Sequence, residues 1–316
     1  MLYRAKAPGS LMLLGEYAVL HGKTAIVAAI DKFILVSLTP RNDNTIHIYS
    51  SLGELTADRR QLQSLPPFEF VLTALASKKL PTGCDVMIES DLPSAIGLGS
   101  SAAVTIALLA GMSAWLKIPL TKKNLWQEAM SVIKAVQNQG SGADCAASIY
   151  GGVIAFRNHP LHILSLKRRP PIVVVYSGTK LKTGQAIDIV NKRRQQQPIF
   201  YRNINEKMDK LALNAISIIN TGDWQELGRL LNEGQKLMIT LEVSNKILDT
   251  LINQLLAKPS IFGAKISGSG LGDCVIGVGI LSSNAFPQNN NERNLGVKQI
   301  PLTITPRGVN ININGM

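Results

Sequence analysis

The chain has 316 residues, 46% hydrophobic and 17% charged, a globular balance that excludes disorder and leaves room for two domains or one large one. Its net charge of +12 comes from scattered lysines and arginines with no interleaved aromatics, which excludes a nucleic-acid binder and suits a polyanionic small molecule. Three cysteines without C-x-x-C spacing exclude a disulfide framework, four histidines off any helical pairing exclude an imidazole metal site, and short apolar runs with no secretory signal predict a cytoplasmic protein without a membrane partner.

Residues 3–40 set the apolar runs LMLLG and TAIVAAI beside KFILVSLTP, which ends at Pro40; this predicts a hairpin of strands interrupted by GEYAVLHGK. Gly15 and Gly22 bound that excursion, and Glu16, Tyr17, His21 and Lys23 give it more polar groups than a plain turn needs. Loops held by a rigid sheet are where substrates are usually gripped. Residues 41–83 read as scaffold: a polar turn, a short strand at TIHIYSSLG, and a helix within PPFEFVLTALASKK.

CDVMIESDL (84–92) alternates like a half-buried strand, and AAVTIALLAGMSAWL (102–116) reads as a long apolar helix. The join, LPSAIGLGSSAA, places Gly97 and Gly99 where the chain must fold tightly, and Ser100 and Ser101 where a helix begins with free N–H groups and a positive dipole end. That arrangement suits a phosphate, although a Ser-capped strand-to-helix turn has the same composition. The Walker and dinucleotide patterns are both absent.

Leu125, Met130, Ile133 and Val136 recur at helical spacing in 124–137, which runs into NQGSGADCAASIYGGVIAF. Asp144 is a single acid among small residues there, either a helix cap or a catalytic carboxylate. A basic, proline-bounded link at 167–171 places a domain boundary near 165, giving units of 1–165 and 166–316. Beyond it come the strand IVVVYSG, a helix near Thr183, and three helices across 200–258. The strand AKIS then leads into the glycine-rich GSGLGD, an anion nest by composition, and the strand CVIGVGI. In the tail, KQIPLTITP and GVNININ alternate as an edge hairpin would.

Three of these segments match signatures in order. A-P-G-x-x-x-L-x-G-E-[HY]-x-V-[LV]-x-G at 7–22, P-x-x-x-G-L-G-S-S-A-A at 93–103 and K-x-[ST]-G-[AS]-G-x-G at 265–272 resemble the GHMP kinase superfamily, which includes galactokinase, homoserine kinase, mevalonate kinase and phosphomevalonate kinase. G-S-G-x-D-x-A-A-S-x-Y-G-G resembles the segment that carries the catalytic aspartate in the mevalonate branch. The resemblance implies an α+β fold of two domains, the first like a ribosomal-protein domain with a left-handed crossover and the second ferredoxin-like, with the active site in the cleft between. It implies ATP and Mg2+, and a mevalonate acceptor; phosphomevalonate is the alternative, and a nucleotide-binding regulator that has lost catalysis is a second alternative. A homodimer is compatible with it.

By the same resemblance, Pro93, Gly97, Leu98, Gly99, Ser100, Ser101 and Ala102 hold the nucleotide, with Mg2+ near Ser101, and Asp144 is the general base. Glu16, Tyr17 and His21 contact the acceptor, Thr183 borders its pocket, and Ser267, Gly268, Ser269 and Gly270 approach from the second domain. Two departures stand out. Ser10 occupies the position usually held by a lysine that supports phosphoryl transfer, so Lys6, on the same strand parity, or Lys23 would supply the cation. Ile133 lies eleven residues before Asp144, where mevalonate kinases commonly carry a magnesium-binding glutamate; Glu128 is too far round the helix to take that role.

Overall fold

A computed structural model describes residues 1–92, 96–181 and 183–314. Its first sheet is built on two long antiparallel strands, β1 (Leu2–Leu14) and β2 (Ala25–Pro40). The two apolar runs of the sequence, TAIVAAI and KFILV, merge into the single strand β2, which ends at its proline. Register shifts between Pro8 and Ser10 and between Met12 and Leu14 bend β1, the first beside a proline that cannot donate to the ladder. The sheet grows with β3 (Thr45–Ser50), the hairpin partner β4 (Gly53–Asp58), and β5 (Cys84–Ser90), which lies antiparallel to β2 and parallel to β3. β4 is an addition to the sequence reading, since GELTAD is largely exposed and carries little apolar alternation.

Helix α1 (Glu69–Ala76) precedes β5; α2 (Ser100–Trp115), α3 (Lys122–Gln137) and α4 (Ala143–Tyr150) follow it. α2 is apolar nearly all round, as a helix buried in the middle of a layer must be. It packs on β1 and β2 with the other three around it. Strands β6 (Val153–Arg157) and β7 (His162–Ser165) complete the first sheet, β6 pairing with the N-terminal half of β2.

Strand β8 (Ile172–Tyr176) opens a second, antiparallel sheet. Four helices follow, α5 (Thr183–Gln196), α6 (Pro198–Thr221), α7 (Trp224–Thr240) and α8 (Lys246–Leu256), then β9 (Ile261–Ser267) and β10 (Cys274–Gly279). α7 and α8 pack on β9 and β10. Helix α9 (Asn290–Leu295) leads to β11 (Lys298–Ile300), and the sheet order is β11-β8-β10-β9.

The tail corrects the expected hairpin. β11 pairs with β8, but β12 (Asn310–Asn314) returns to the first sheet and pairs with β1 from Leu2 to Lys6. Asp31 guides the return, its carboxylate accepting from the Thr303 N–H and hydroxyl at 2.8 Å each. Alternation made both segments strands, but the exposed ladder edge of β1 chose the partner. One apolar cluster runs through both sheets, joining Val36, Ile106 and Phe156 to Val174, Ile276 and Ile300. Among the described residues no helix is long and apolar enough to cross a membrane.

Candidate active site

The turn at residues 96–99 leaves the start of α2 uncapped. Gly99 is its N-cap with φ 71° and offers no capping side chain, so the first N–H groups of α2 face a pocket lined by Gly97, Gly99, Ser100, Ser101 and Ala102. A Cβ on Gly99 would lie 2.1 Å from the Ser10 Oγ, so glycine is needed for both φ and space. Leu98 is buried and does not line the pocket; its carbonyl accepts the Ser10 N–H at 2.9 Å and anchors the loop to β1. Pro93 lies outside the described residues.

Asp144 sits in the first turn of α4 and lines the same pocket. The Ser10 hydroxyl donates to its Oδ1 at 2.7 Å. Ser10 therefore joins the two parts of the site, with its N–H on the turn before α2 and its hydroxyl on the Asp144 carboxylate. Burial pushes the Asp144 carboxyl above the ordinary aspartate range, and the Ser10 bond partly opposes that. The indole N–H of Trp126 donates to the Gly142 carbonyl at 2.9 Å and fixes the start of α4.

Of the residues expected to meet the acceptor, Glu16, Tyr17, Thr183, Ser267, Gly268 and Ser269 line this pocket. The Tyr17 hydroxyl donates to the Ser269 carbonyl, and the Ser267 hydroxyl donates to the Met12 carbonyl at 2.9 Å, so both glycine-bounded loops are tied across the two sheets. Glu16 is paired with Lys265, a fully buried lysine that also donates to the Ile266 carbonyl. Burial lowers the Lys265 pKa, and the Glu16 charge works against that. Gly270 sits back from the pocket, against the Val243 carbonyl.

Three expected groups belong elsewhere. Lys6 is exposed, with its ammonium 4.3 Å from the centre of the Phe33 ring; it shares parity with Ser10 but lies beyond the register shift between Pro8 and Ser10 and does not line the pocket. Lys23 pairs with Glu206 at 2.5 Å. His21 does not line this pocket; its Nδ1 lies 3.2 Å from the Arg194 Nη1, and burial, then the Arg194 charge, lowers its pKa. Among the described residues Lys180 is the lysine that lines the pocket. Ile133 lines it too, and Glu128 is held by Lys78 at 2.6 Å.

Asp273, the acid of GSGLGD, was given no role by its motif. It has φ 72°, is 7% exposed, lines the pocket, and accepts the Gly97 N–H at 2.5 Å. A carboxylate of the β9–β10 loop thus engages a backbone amide of the turn before α2. Burial pushes its pKa up, Lys180 and the Gly97 bond pull it down, and the Asp144 charge adds to the rise. The signal in the sequence was an acid following a glycine-rich turn, but composition does not say which amide such an acid faces.

Comparison with known proteins bears on the family and the fold. Residues 68–152 match the family model "GHMP kinases N terminal domain", and residues 213–286 match "GHMP kinases C terminal". A mevalonate kinase of Aeropyrum pernix is 30% identical over 289 residues, covering 87% of this chain and 88% of that one. Among solved structures, the Lin0012 protein of Listeria innocua superposes with a TM-score of 0.84 at 24% identity over 100% of both chains. The Methanococcus jannaschii mevalonate kinase gives 0.76 at 23% identity, covering 96% of this chain and 98% of that one. Identities this low in the structural matches speak for the fold alone.

Proposed function

The chain belongs to the GHMP kinase family, and from that premise we propose that it transfers the terminal phosphoryl group of ATP to the hydroxyl of mevalonate. The observation that carries the proposal is the Ser10 bridge, which sets a buried carboxylate beside the open start of α2 and opposite the Glu16–Tyr17 loop.

Phosphoryl transfer asks mainly for positioning and for neutralising the oxygens of the transferred group. The N–H groups at the start of α2 cradle the nucleotide phosphates, and Lys180 brings a mobile positive charge to the same pocket. Asp144 accepts the proton of the acceptor hydroxyl, and Ser10 holds that carboxylate in place. The pocket's hard oxygen donors, the Ser101 hydroxyl and the Asp273 carboxylate, fit a magnesium ion shared with nucleotide phosphates, since Mg2+ usually takes one or two carboxylates beside phosphate oxygens. Bound there, the ion would supply charge neutralisation.

A second reading takes phosphomevalonate as acceptor. It is favoured by Ile133, which leaves an uncharged wall where an acid would repel a phosphorylated acceptor, and by Lys180 at the pocket. Release of ADP on mixing the chain with ATP and mevalonate, compared with ATP and phosphomevalonate, separates the two. Asp144→Asn is expected to lower turnover by about 100- to 10,000-fold, the usual contribution of a positioned base, with nucleotide affinity unchanged. Nucleotide binding without ADP release from either acceptor overturns both readings.

A further inference from the structure

A second pocket, of about 510 Å3, opens on the back of the substrate loop. The loop that carries Glu16 and Tyr17 to the active site carries His21 and Lys23 to this one. Arg194 comes from the last turn of α5, and Arg202 and Asn205 from the first turns of α6. None of these residues has a part in the transfer described above.

The charges do not cancel. Lys23 is neutralised by Glu206 at 2.5 Å. Among the described residues Arg194 and Arg202 take part in no salt bridge, and the Nε of Arg194 is buried without a hydrogen-bond partner. That leaves two guanidinium groups, whose planar forks match phosphate oxygens. Asn205 lines the pocket with 7% of the residue exposed, and its side-chain amide makes no hydrogen bond among the described residues, which leaves it open to a ligand. α6 also starts in this pocket, with Pro198 in its first turn and no capping side chain on Gln197, so its N-terminal N–H groups and dipole add to the same field. The pocket offers no aromatic face for a base to stack on beyond the His21 ring, which is engaged with Arg194.

We propose that this pocket is a second anion site, distinct from the nucleotide site, that takes the phosphate or diphosphate group of a small molecule between Arg194, Arg202 and the Asn205 amide. A dianion matches the two uncompensated guanidinium charges, and the cavity has room for a short organic chain behind it. His21 can contribute a further donor through its Nε2–H, since its Nδ1 accepts from Arg194.

The test is isothermal titration of inorganic pyrophosphate into the full chain whose nucleotide site has first been saturated with a non-hydrolysable ATP analogue. One further equivalent is expected to bind. Arg194→Gln and Arg202→Gln are each expected to weaken it about tenfold or more, the loss that follows removal of a charge-assisted contact, while leaving analogue affinity unchanged. Arg194→Lys and Arg202→Lys, which keep charge and lose the fork, should fall between. Arg229→Gln, on the exposed face of α7 and paired with Glu226 and Glu233, should change nothing. Absence of pyrophosphate binding once the nucleotide site is full, or binding that Arg229→Gln weakens as much as Arg194→Gln does, overturns the proposal. Failure of the analogue itself to bind would count against the kinase reading instead, and pyrophosphate titrated into the free chain would then test this pocket alone.

Discussion

Ser10 puts a neutral residue where the resemblance implies a lysine, and its contacts define its part in the proposed transfer. Its hydroxyl donates to Asp144 and so stabilises the carboxylate against a burial that favours the protonated acid. The sign follows directly. A base must be ionised to accept a proton, so under the proposed role turnover is expected to fall as pH drops through the Asp144 pKa, which burial raises above the ordinary aspartate value. Ser10→Ala removes the interaction that holds this pKa down, and the acid limb of the kcat/KM profile is expected to move to higher pH with the alkaline limb in place. An acid limb that stays put, with activity lost equally at all pH values, would assign Ser10 to loop positioning alone. At this scale a single acid among small residues left Asp144 open between a helix cap and a catalytic group, and only the resemblance pointed it to the pocket that it lines. Lys6 and Lys23 were misplaced because strand parity and sequence distance do not show that Phe33 and Glu206 claim them.

Elements meet at two places where the sequence offers no hint of contact. Helix α7 lies on β9 through glycines on both sides: a Cβ on Gly228 would lie 2.4 Å from the backbone of Phe262, and one on Gly263 would lie 2.0 Å from the Gly228 carbonyl oxygen. Helix propensity alone predicts that Gly228→Ala stabilises α7 by about 1 kcal/mol. The close approach reverses that, and the variant is expected to be less stable by about 1–3 kcal/mol in urea unfolding, as overpacked cores are. A gain in stability would show that the helix can lift from the strand at no cost.

The second place is the buried Lys265–Glu16 pair, which fastens β9 to the substrate loop. Lys265→Met leaves the Glu16 carboxylate buried beside an apolar chain, and a loss of about 3–5 kcal/mol is expected. The double variant Lys265→Met/Glu16→Gln should recover much of it, because no unmatched charge remains. Equal losses in the single and double variants would mean that packing of the lysine stem, and not charge, carries the effect. The strands and helices themselves were legible in alternation and helical period. Their partners were not, as β4 and the return of β12 to β1 show, because an exposed strand reads alike in a hairpin and at a distant edge.

Across the whole molecule, the two signature loops that sequence order kept far apart come together because the sheets share a core. Val174, Cys274 and Ile276 of the second sheet belong to the same apolar cluster as Ile26, Val36 and Phe156 of the first, while Tyr17 and Ala18 of the first half pack into the cluster under α8. The return of β12 to β1 closes the chain on itself, so neither half can open without stripping an edge from the other. The halves should therefore unfold as one unit despite the two sheets. In native-state hydrogen exchange, the slowest amides of β2 and β10 are expected to share one opening free energy, agreeing to about 1 kcal/mol. A nucleotide bound where the loops converge stabilises only the closed molecule, so a non-hydrolysable ATP analogue at 100 times its Kd should raise both values together by about 2.7 kcal/mol. Exchange in β10 at a distinctly lower free energy than in β2, with the analogue protecting β2 alone, would mean that the second sheet opens by itself and that the contacts of Asp273 and Tyr17 across the pocket are too weak to hold it.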